Sequence, residues 1–152
     1  MVNIIHRVGI RAPLSKVYSA LSTIEGLAGW WTRDTTGIPK VGKTIEFRFR
    51  NPSGDVIGEM GMEVVALDAN KKVEWKCKAG PPEWIGTDLT FDLTQDGEYT
   101  VVLFGHKNWR EAVEFTAHCS TKWAIFLMSL KDLVETGKGK PSPGDTKIDN
   151  WN

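Results

Sequence analysis

The stretch AVEFTAHCSTKWAIFLMSLKDLVET at residues 112–136 decides the fold. Its apolar residues recur at spacings of three and four, which is the pattern of an amphipathic helix. One stripe, about 120° wide at 100° per residue, contains Phe115, Cys119, Trp123, Phe126, Leu127, Leu130, Leu133 and Val134. Glycines at 137 and 139 and a proline at 141 follow, and such residues commonly end a helix. We therefore predict one long C-terminal helix whose apolar face needs a second layer to cover it.

Upstream of this helix the apolar residues alternate, which predicts β-strands. The strand segments are 4–10, 44–50, 58–67, 72–78, 86–94 and 99–106, and turn residues separate most of them. Two further segments, 16–21 and 24–31, lie between the first and second strands. The first is predicted to be a short helix. The glycines of the second are compatible with either a short helix or a turn. Short strands at regular intervals are typical of an antiparallel meander.

One helix cannot cover a broad flat sheet, so the fold class we predict is α+β with a curved sheet. Six or seven antiparallel strands wrap round the C-terminal helix, and two short helices follow the first strand. Residues 1–139 form a single domain in this prediction. Residues 140–152 form a polar, extended tail, in which Ile148 and Trp151 are the candidates for docking onto the domain.

The composition excludes several classes of protein. Lys+Arg and Asp+Glu balance at 19 each, so no basic excess indicates binding to nucleic acid or to an anionic membrane. No segment reaches the ~20 apolar residues of a membrane helix, and the N-terminus lacks the apolar core of a secretory signal. Cys77 and Cys119 lie far apart, and we expect reduced thiols. These features predict a cytoplasmic protein without stable membrane insertion.

Tryptophan is the unusual component, with seven in 152 residues. A buried indole N–H usually needs a hydrogen-bond partner. The content therefore indicates either a few buried polar partners or a cavity that receives the polar end of a ligand. Ordinary core packing remains the alternative for any single tryptophan.

Three segments and the tail carry a resemblance to a known family. In the first segment the matching residues are Ala12-Pro13, Val17-Tyr18, Leu21 and 26–31, and in the second they are His106 and Trp109. In the third segment they are Trp123, Phe126-Leu127, Leu130-Lys131, 134–137, Gly139 and Pro141. In the tail they are Pro143, Ile148 and Trp151. In order and spacing they resemble the SRPBCC (START-like) superfamily. Within it they are most similar to homologues of the C-terminal domain of the heat-shock-protein-90 ATPase activator.

The resemblance implies a helix-grip fold with a cavity between sheet and helix. It does not decide the function, because this fold hosts lipid carriers, cyclases, hydratases, regulators and co-chaperones. The activator itself carries an additional N-terminal domain, for which this chain has no room, and this argues against a chaperone partner. The resemblance leaves pairing into a homodimer open.

Aromatic residues are the candidates for lining such a cavity, because ligand pockets are mostly apolar. They lie on inward strand faces, on the helix stripe and in loops: Trp30, Trp31, Phe47, Phe49, Trp75, Trp84, Phe91, Phe104, Trp109, Trp123 and Phe126. Trp30 and Trp31, beside glycines, are expected to form a mobile lip, and Trp84 in the proline-rich loop is expected to form another. An interior filled by these side chains is the alternative.

His106 ends an apolar strand face and is the leading candidate for orienting a ligand or acting as a general base. His6 and His118 are further candidates, and Tyr18, Glu46 and Asp88 are weaker ones. No carboxylate pair or Ser-His-Asp set is evident. The Cys and His residues (Cys77, His106, His118 and Cys119) lack the short spacing that nucleates a zinc site, so neither metal nor cofactor is expected.

These observations predict binding of a small hydrophobic or amphipathic molecule in the cavity. One alternative is a cyclase, hydratase or hydrolase that uses the same cavity. The other is a protein-interaction or co-chaperone-like module, for which Arg7, Arg11, Arg48 and Arg50 could form a basic stripe if their strands were neighbours. A solvated sheet face is the simpler reading of these arginines.

Overall fold

Seven strands and three helices make up the protein in a computed structural model that describes residues 1–152. In chain order they are β1 (Val2–Ile10), α1 (Leu14–Ser22), α2 (Ile24–Trp30), β2 (Asp34–Gly37), β3 (Thr44–Arg50), β4 (Val56–Asp68), β5 (Lys72–Ala79), β6 (Asp88–Asp96), β7 (Tyr99–Trp109) and α3 (Glu114–Thr136). All neighbouring strands are antiparallel, in the order β1-β7-β6-β5-β4-β3-β2. The predicted α+β helix-grip fold with a curved sheet is confirmed. None of the helices is long and apolar enough to cross a membrane.

The sequence prediction missed one strand, β2. Its four residues, Asp-Thr-Thr-Gly, carry no apolar alternation, so no local pattern marks them as a strand. Only pairing with β3, where Asp34 lies opposite Arg48 and Thr35 opposite Phe47, gives them extended structure. Tertiary pairing, rather than propensity, therefore forms this edge strand.

The predicted bounds are wrong at several element ends. The strand predicted at 58–67 extends from Val56 to Asp68, because the pairing with β3 continues through Gly58, which lies opposite Phe49. The strand predicted from residue 86 begins at Asp88, since Gly86 has a φ of +87° and belongs to the preceding turn. The last strand continues past His106 to Trp109 along β1.

The helix ends agree better with expectation. The segment 24–31, for which the sequence allowed either a helix or a turn, forms the helix α2. At its start, the Thr23 hydroxyl accepts a hydrogen bond from the Gly26 N–H. Helix α3 begins at Glu114, two residues later than predicted. It ends as predicted at Gly137, which adopts a φ of +87° and donates its N–H to the Leu133 carbonyl.

The apolar stripe of α3 packs on the inner sheet face. Cys119, Trp123, Phe126, Leu127 and Leu130 are buried, whereas Phe115, Leu133 and Val134 are only partly buried. Three polar side chains outside the predicted stripe, Thr116, Lys122 and Ser129, are also buried. The helix is therefore covered on a second side, which the periodicity did not reveal.

The four arginines do not form one basic stripe. Arg7 lies on β1 and Arg48 and Arg50 lie on β3, and four other strands separate β1 from β3 in the sheet. Arg48 forms ion pairs with Asp34 and Glu59, each at 3.3 Å, and with Glu46. The outer sheet face at β3 is thus balanced in charge, and the prediction of a basic stripe formed by the four arginines is wrong.

Candidate ligand cavity

A cavity of about 200 Å³ lies between α3 and the β3–β4 side of the sheet. Its walls combine the helix, the two strands, the loop after β5 and the end of the tail. The lining residues are Trp31, Phe49, Ile57, Gly58, Met60, Pro81, Trp84, Phe115, His118, Cys119, Lys122, Trp123, Phe126, Trp151 and Asn152. Most of them are apolar, which suits a small molecule with a largely apolar surface.

Five of the twelve predicted ligand-binding residues line this cavity: Trp31, Phe49, Trp84, Trp123 and Phe126. The other seven, which do not line it, are Trp30, Phe47, Trp75, Phe91, Phe104, His106 and Trp109. Ring centroids are 5.1 Å apart for Phe91 and Phe104 and 5.6 Å apart for Phe47 and Trp75. The centre of the sheet is therefore filled by interlocking rings, and the cavity occupies only one end of the interior.

Trp30, Trp31 and Trp84 lie in the interior and not at an exposed lip. All three are buried, at 0%, 1% and 5% exposure. The Trp30 indole donates to the Ala20 carbonyl at 3.0 Å, which ties α2 to α1. Trp31 and Trp84 form the inner wall, with ring centroids 5.0 and 6.0 Å from that of Trp123. Burial of their large apolar faces outweighs the freedom that neighbouring glycine or proline residues suggested.

The outer rim of the cavity comes from the tail instead. The Ser142 N–H donates to the Trp31 carbonyl at 2.8 Å, and its own carbonyl accepts from Arg33 at 3.1 Å. The Lys140 N–H donates to the Ser129 hydroxyl at 2.7 Å. These bonds turn the chain back along α3, so that Trp151 and Asn152 reach the cavity.

Lys122 explains the second covered side of α3. Its ammonium group forms a buried ion pair with Asp145 and also donates to the carbonyls of Thr146, at 2.9 Å, and Asn152, at 3.4 Å. Asp145 accepts from Lys147 as well, at 3.1 Å. All three ammonium donors therefore have acceptors, and Lys122 presents no free charge to the cavity.

His118 and Asp149 form a second link between helix and tail. His118 Nδ1 lies 2.7 Å from Asp149 Oδ2. This hydrogen bond from His118 holds the pKa of Asp149 below its ordinary value. The Trp151 ring packs against the same imidazole in a tilted arrangement, with centroids 5.5 Å apart. His118 thus stands at the cavity mouth, next to the half-exposed Trp151.

His106, the leading polar candidate, lies behind the cavity wall and is fully buried. The Trp123 indole N–H donates to its Nδ1 at 3.1 Å, so Nδ1 carries no proton. Its Nε2 therefore carries the proton and donates to Thr87 Oγ1 at 2.8 Å, and that hydroxyl donates to the Trp84 carbonyl at 2.6 Å. Burial lowers the pKa of His106 to about 3. Both ring nitrogens are occupied, so His106 fixes Trp123 and the Trp84 loop and has no atom free for a ligand.

The remaining polar candidates lie elsewhere. His6 Nε2 lies 3.0 Å from the Ser120 carbonyl and joins β1 to α3. Glu46 pairs with Arg48 on the outer face, and Asp88 pairs with Lys76 at 2.8 Å. Tyr18 does not line the cavity. None of these groups is brought to the cavity, and His118 is the one polar candidate that lines it.

Both cysteines are free and buried, and only Cys119 lines the cavity. Burial raises the pKa of Cys119 to about 12 and that of Cys77 to about 11. Both therefore remain thiols at neutral pH, and Cys119 acts as an apolar wall residue.

Sequence reasoning missed most lining residues outside the aromatic set. Ile57 and Met60 come from the part of β4 that the strand pattern described poorly. Trp151 was predicted as a residue that could dock the tail, and His118 was predicted as a further candidate for orienting a ligand. Lys122 carried none, because a lysine outside the apolar face of a helix normally lies in solvent.

A family model described as Activator of Hsp90 ATPase homolog 1-like protein matches residues 11–135. No curated protein matches the chain. A solved structure from Colwellia psychrerythraea, described as the solution structure of an Aha1 dimer, has 48% identity and a TM-score of 0.80. The match covers 91% of this chain and 100% of that one.

Two more distant structures share the fold alone. A crystal structure from Staphylococcus saprophyticus has 20% identity and a TM-score of 0.73, with 93% of this chain and 98% of that chain covered. A solution structure from Bacillus halodurans has 22% identity and a TM-score of 0.68, with 89% and 98% covered. The helix-grip architecture thus persists at low identity.

Proposed function

The chain belongs to the family of Activator of Hsp90 ATPase homolog 1-like proteins, and we propose that it binds a small apolar or amphipathic molecule in the cavity between sheet and α3. The observation that carries this proposal is the aromatic cavity itself, of about 200 Å³, next to an otherwise filled core. That volume lies below the roughly 300–1,000 Å³ typical of drug-sized ligands. The ligand is therefore small, of the size of one or two fused rings.

Burial of apolar area supplies the binding energy in this proposal, at roughly 25 cal/mol per Å². Trp84 and Trp123 stack on each other in the cavity wall, and Phe49 and Phe126 form an edge-to-face pair at 6.3 Å in the same lining. The tail residues Trp151 and Asn152 cover the outer side. A cytoplasmic location is part of the same proposal, supported by the two free thiols.

Filling the cavity tests the proposal. Gly58 lies on the inner face opposite Phe49, and a Cβ there would meet only Phe49 Cβ, at 3.8 Å. We expect Gly58→Leu to fold normally and to weaken binding of 2-methylnaphthalene by at least about tenfold, equivalent to about 1.4 kcal/mol, because leucine occupies the ligand's space. Equilibrium dialysis measures the affinity, and native mass spectrometry of the purified protein identifies any co-purified molecule.

The matched control is Val65→Leu, which enlarges an exposed side chain on the same strand. It is expected to leave the affinity unchanged. Equal affinities for wild type and Gly58→Leu would show that the probe binds elsewhere and would contradict the cavity assignment.

We also propose that two copies pair through the outer sheet face beside β1. The Colwellia psychrerythraea structure is described as a dimer, and β1 is an edge strand that pairs only with β7. Ile5 and Leu103 are diagonal neighbours across this pair and are 57% and 46% exposed. Such apolar residues beside an open edge favour association with a second copy.

Ile5→Lys is therefore expected to shift a dimer toward monomer by about tenfold or more in dissociation constant, because a lysine in the apolar contact loses burial and adds like charges across the two-fold axis. Sedimentation velocity over a concentration series measures the shift. Ile38→Lys changes a similarly exposed isoleucine after β2 and is expected to have no effect. A wild type that stays monomeric at every concentration refutes this pairing.

A further inference from the structure

We infer that the cavity selects an uncharged ligand bearing a hydroxyl group, which donates a hydrogen bond to Nε2 of His118 at the mouth. The inference rests on the proposed function and adds the chemical class of the ligand: a small phenol or apolar alcohol. It is carried by the pairing of His118 with Asp149 and by the neutralisation of Lys122 within the same wall.

The Asp149 contact sets which nitrogen of His118 is free. A carboxylate only accepts hydrogen bonds, so the proton of the neutral imidazole resides on Nδ1, which lies 2.7 Å from Asp149 Oδ2. The other nitrogen, Nε2, then carries a lone pair, and it has no hydrogen-bond partner in the protein. A ligand donor such as O–H complements it, whereas a carbonyl oxygen does not.

The imidazole is also held in place before any ligand arrives. It stacks on Phe115 with an interplanar angle of 11° and is covered by Trp151, and its side chain is only 11% exposed. A fixed acceptor loses little conformational freedom on binding, so most of its hydrogen-bond energy appears as affinity. The two rings and the carboxylate therefore make His118 a preorganised recognition group.

The charges around the mouth disfavour an acidic ligand. The donors of Lys122 are taken by Asp145, Thr146 and Asn152, so no free cation faces the cavity. Asp149, which is bonded to His118 but does not line the cavity, adds a negative charge close to the mouth. An anionic ligand would lose its hydration without gaining a counter-ion, which is costly in an apolar site.

Three probes of nearly equal size test the inference: 2-naphthol, 2-methylnaphthalene and 2-naphthoate. Hydroxyl and methyl groups are similar in volume, so the first pair differs mainly in the hydrogen bond. At pH 8, wild type is expected to bind 2-naphthol about 3- to 10-fold more tightly than 2-methylnaphthalene, the range that one neutral hydrogen bond gives. 2-Naphthoate is expected to bind most weakly.

Two variants locate the effect. His118→Phe keeps a ring between Phe115 and Trp151 and is expected to abolish the preference for 2-naphthol while retaining affinity for 2-methylnaphthalene. Asp149→Asn permits the other imidazole tautomer, because an amide also donates, and is expected to reduce the preference. His6→Phe is the matched control on β1 and is expected to keep the full preference. Near-UV circular dichroism confirms that each variant retains its tertiary packing.

A spectroscopic signature separates recognition from packing. Excited 2-naphthol transfers its proton to a hydrogen-bonded base, so the bound probe is expected to show a larger naphtholate emission band in wild type than in His118→Phe. If all three probes bind wild type and His118→Phe alike, the inference is overturned and the proposed function stands. If none of the probes binds wild type, both are overturned.

Discussion

Lys122→Met is expected to destabilise the protein by about 3 kcal/mol or more, the largest single effect we anticipate. The carboxylate of Asp145 is fully buried, and the Lys122 ammonium is its closest partner. Removal of the ammonium leaves a buried charge that only the half-exposed Lys147 compensates, and it leaves the Thr146 carbonyl without its donor. Chemical denaturation at pH 7 measures the free energy of unfolding.

Lys147→Met is the matched control, because it removes the other partner of the same carboxylate. Its side chain is 45% exposed, so the loss is expected to stay below about 1 kcal/mol. The double variant Lys122→Met/Asp145→Asn is expected to cost less than the sum of its single changes, since no unpaired charge remains. Equal losses for the two lysine variants would show that burial does not govern this ion pair.

Acid is expected to destabilise wild type by about 2 kcal/mol between pH 7 and pH 5 through His106 alone. Burial lowers the pKa of His106 to about 3 in the folded protein, whereas the unfolded chain titrates near 6.5. Between these values the unfolded state binds the extra proton, so stability falls as the pH drops below about 6.5. The loss amounts to about 1.4 kcal/mol per pH unit once the unfolded histidine is protonated.

His106→Gln removes this titration while its amide can still accept from Trp123 and donate to Thr87. The variant is expected to be less stable than wild type at pH 7 and to lose less stability on acidification. The difference in slope between the two proteins isolates His106 from all other groups. Parallel stability curves for wild type and His106→Gln would mean that His106 is not held neutral.

Local patterns in the sequence predicted most elements of the fold. The three-and-four spacing of α3 and the alternation of β3, β5 and β7 depend on residues close in the chain. They also predicted which rings face inward, and Phe47, Trp75, Phe91 and Phe104 are indeed buried there. β2 had no such pattern, since its extended form comes only from pairing with β3.

Local patterns could not divide those inward rings between filled core and cavity wall. Trp75 and Phe91 pack against each other, whereas Phe49 and Phe126 line the cavity, although all four have the same apolar character. The division depends on how rings from distant strands interlock. It also depends on which partners are near: His106 has its two nitrogens occupied by Thr87 and Trp123, which are 19 and 17 residues away.

The sequence by itself determined the helix-grip architecture, the aromatic inner face and the candidacy of the tail for docking. The tertiary structure alone decided that Lys122 and Asp145 are buried together, that His118 rather than His106 stands at the cavity, and that Trp151 forms its rim. The physical reason is range. Periodicity records the local geometry of helix and strand, whereas burial, pairing of charges and the shape of a cavity arise only when segments distant in sequence come into contact.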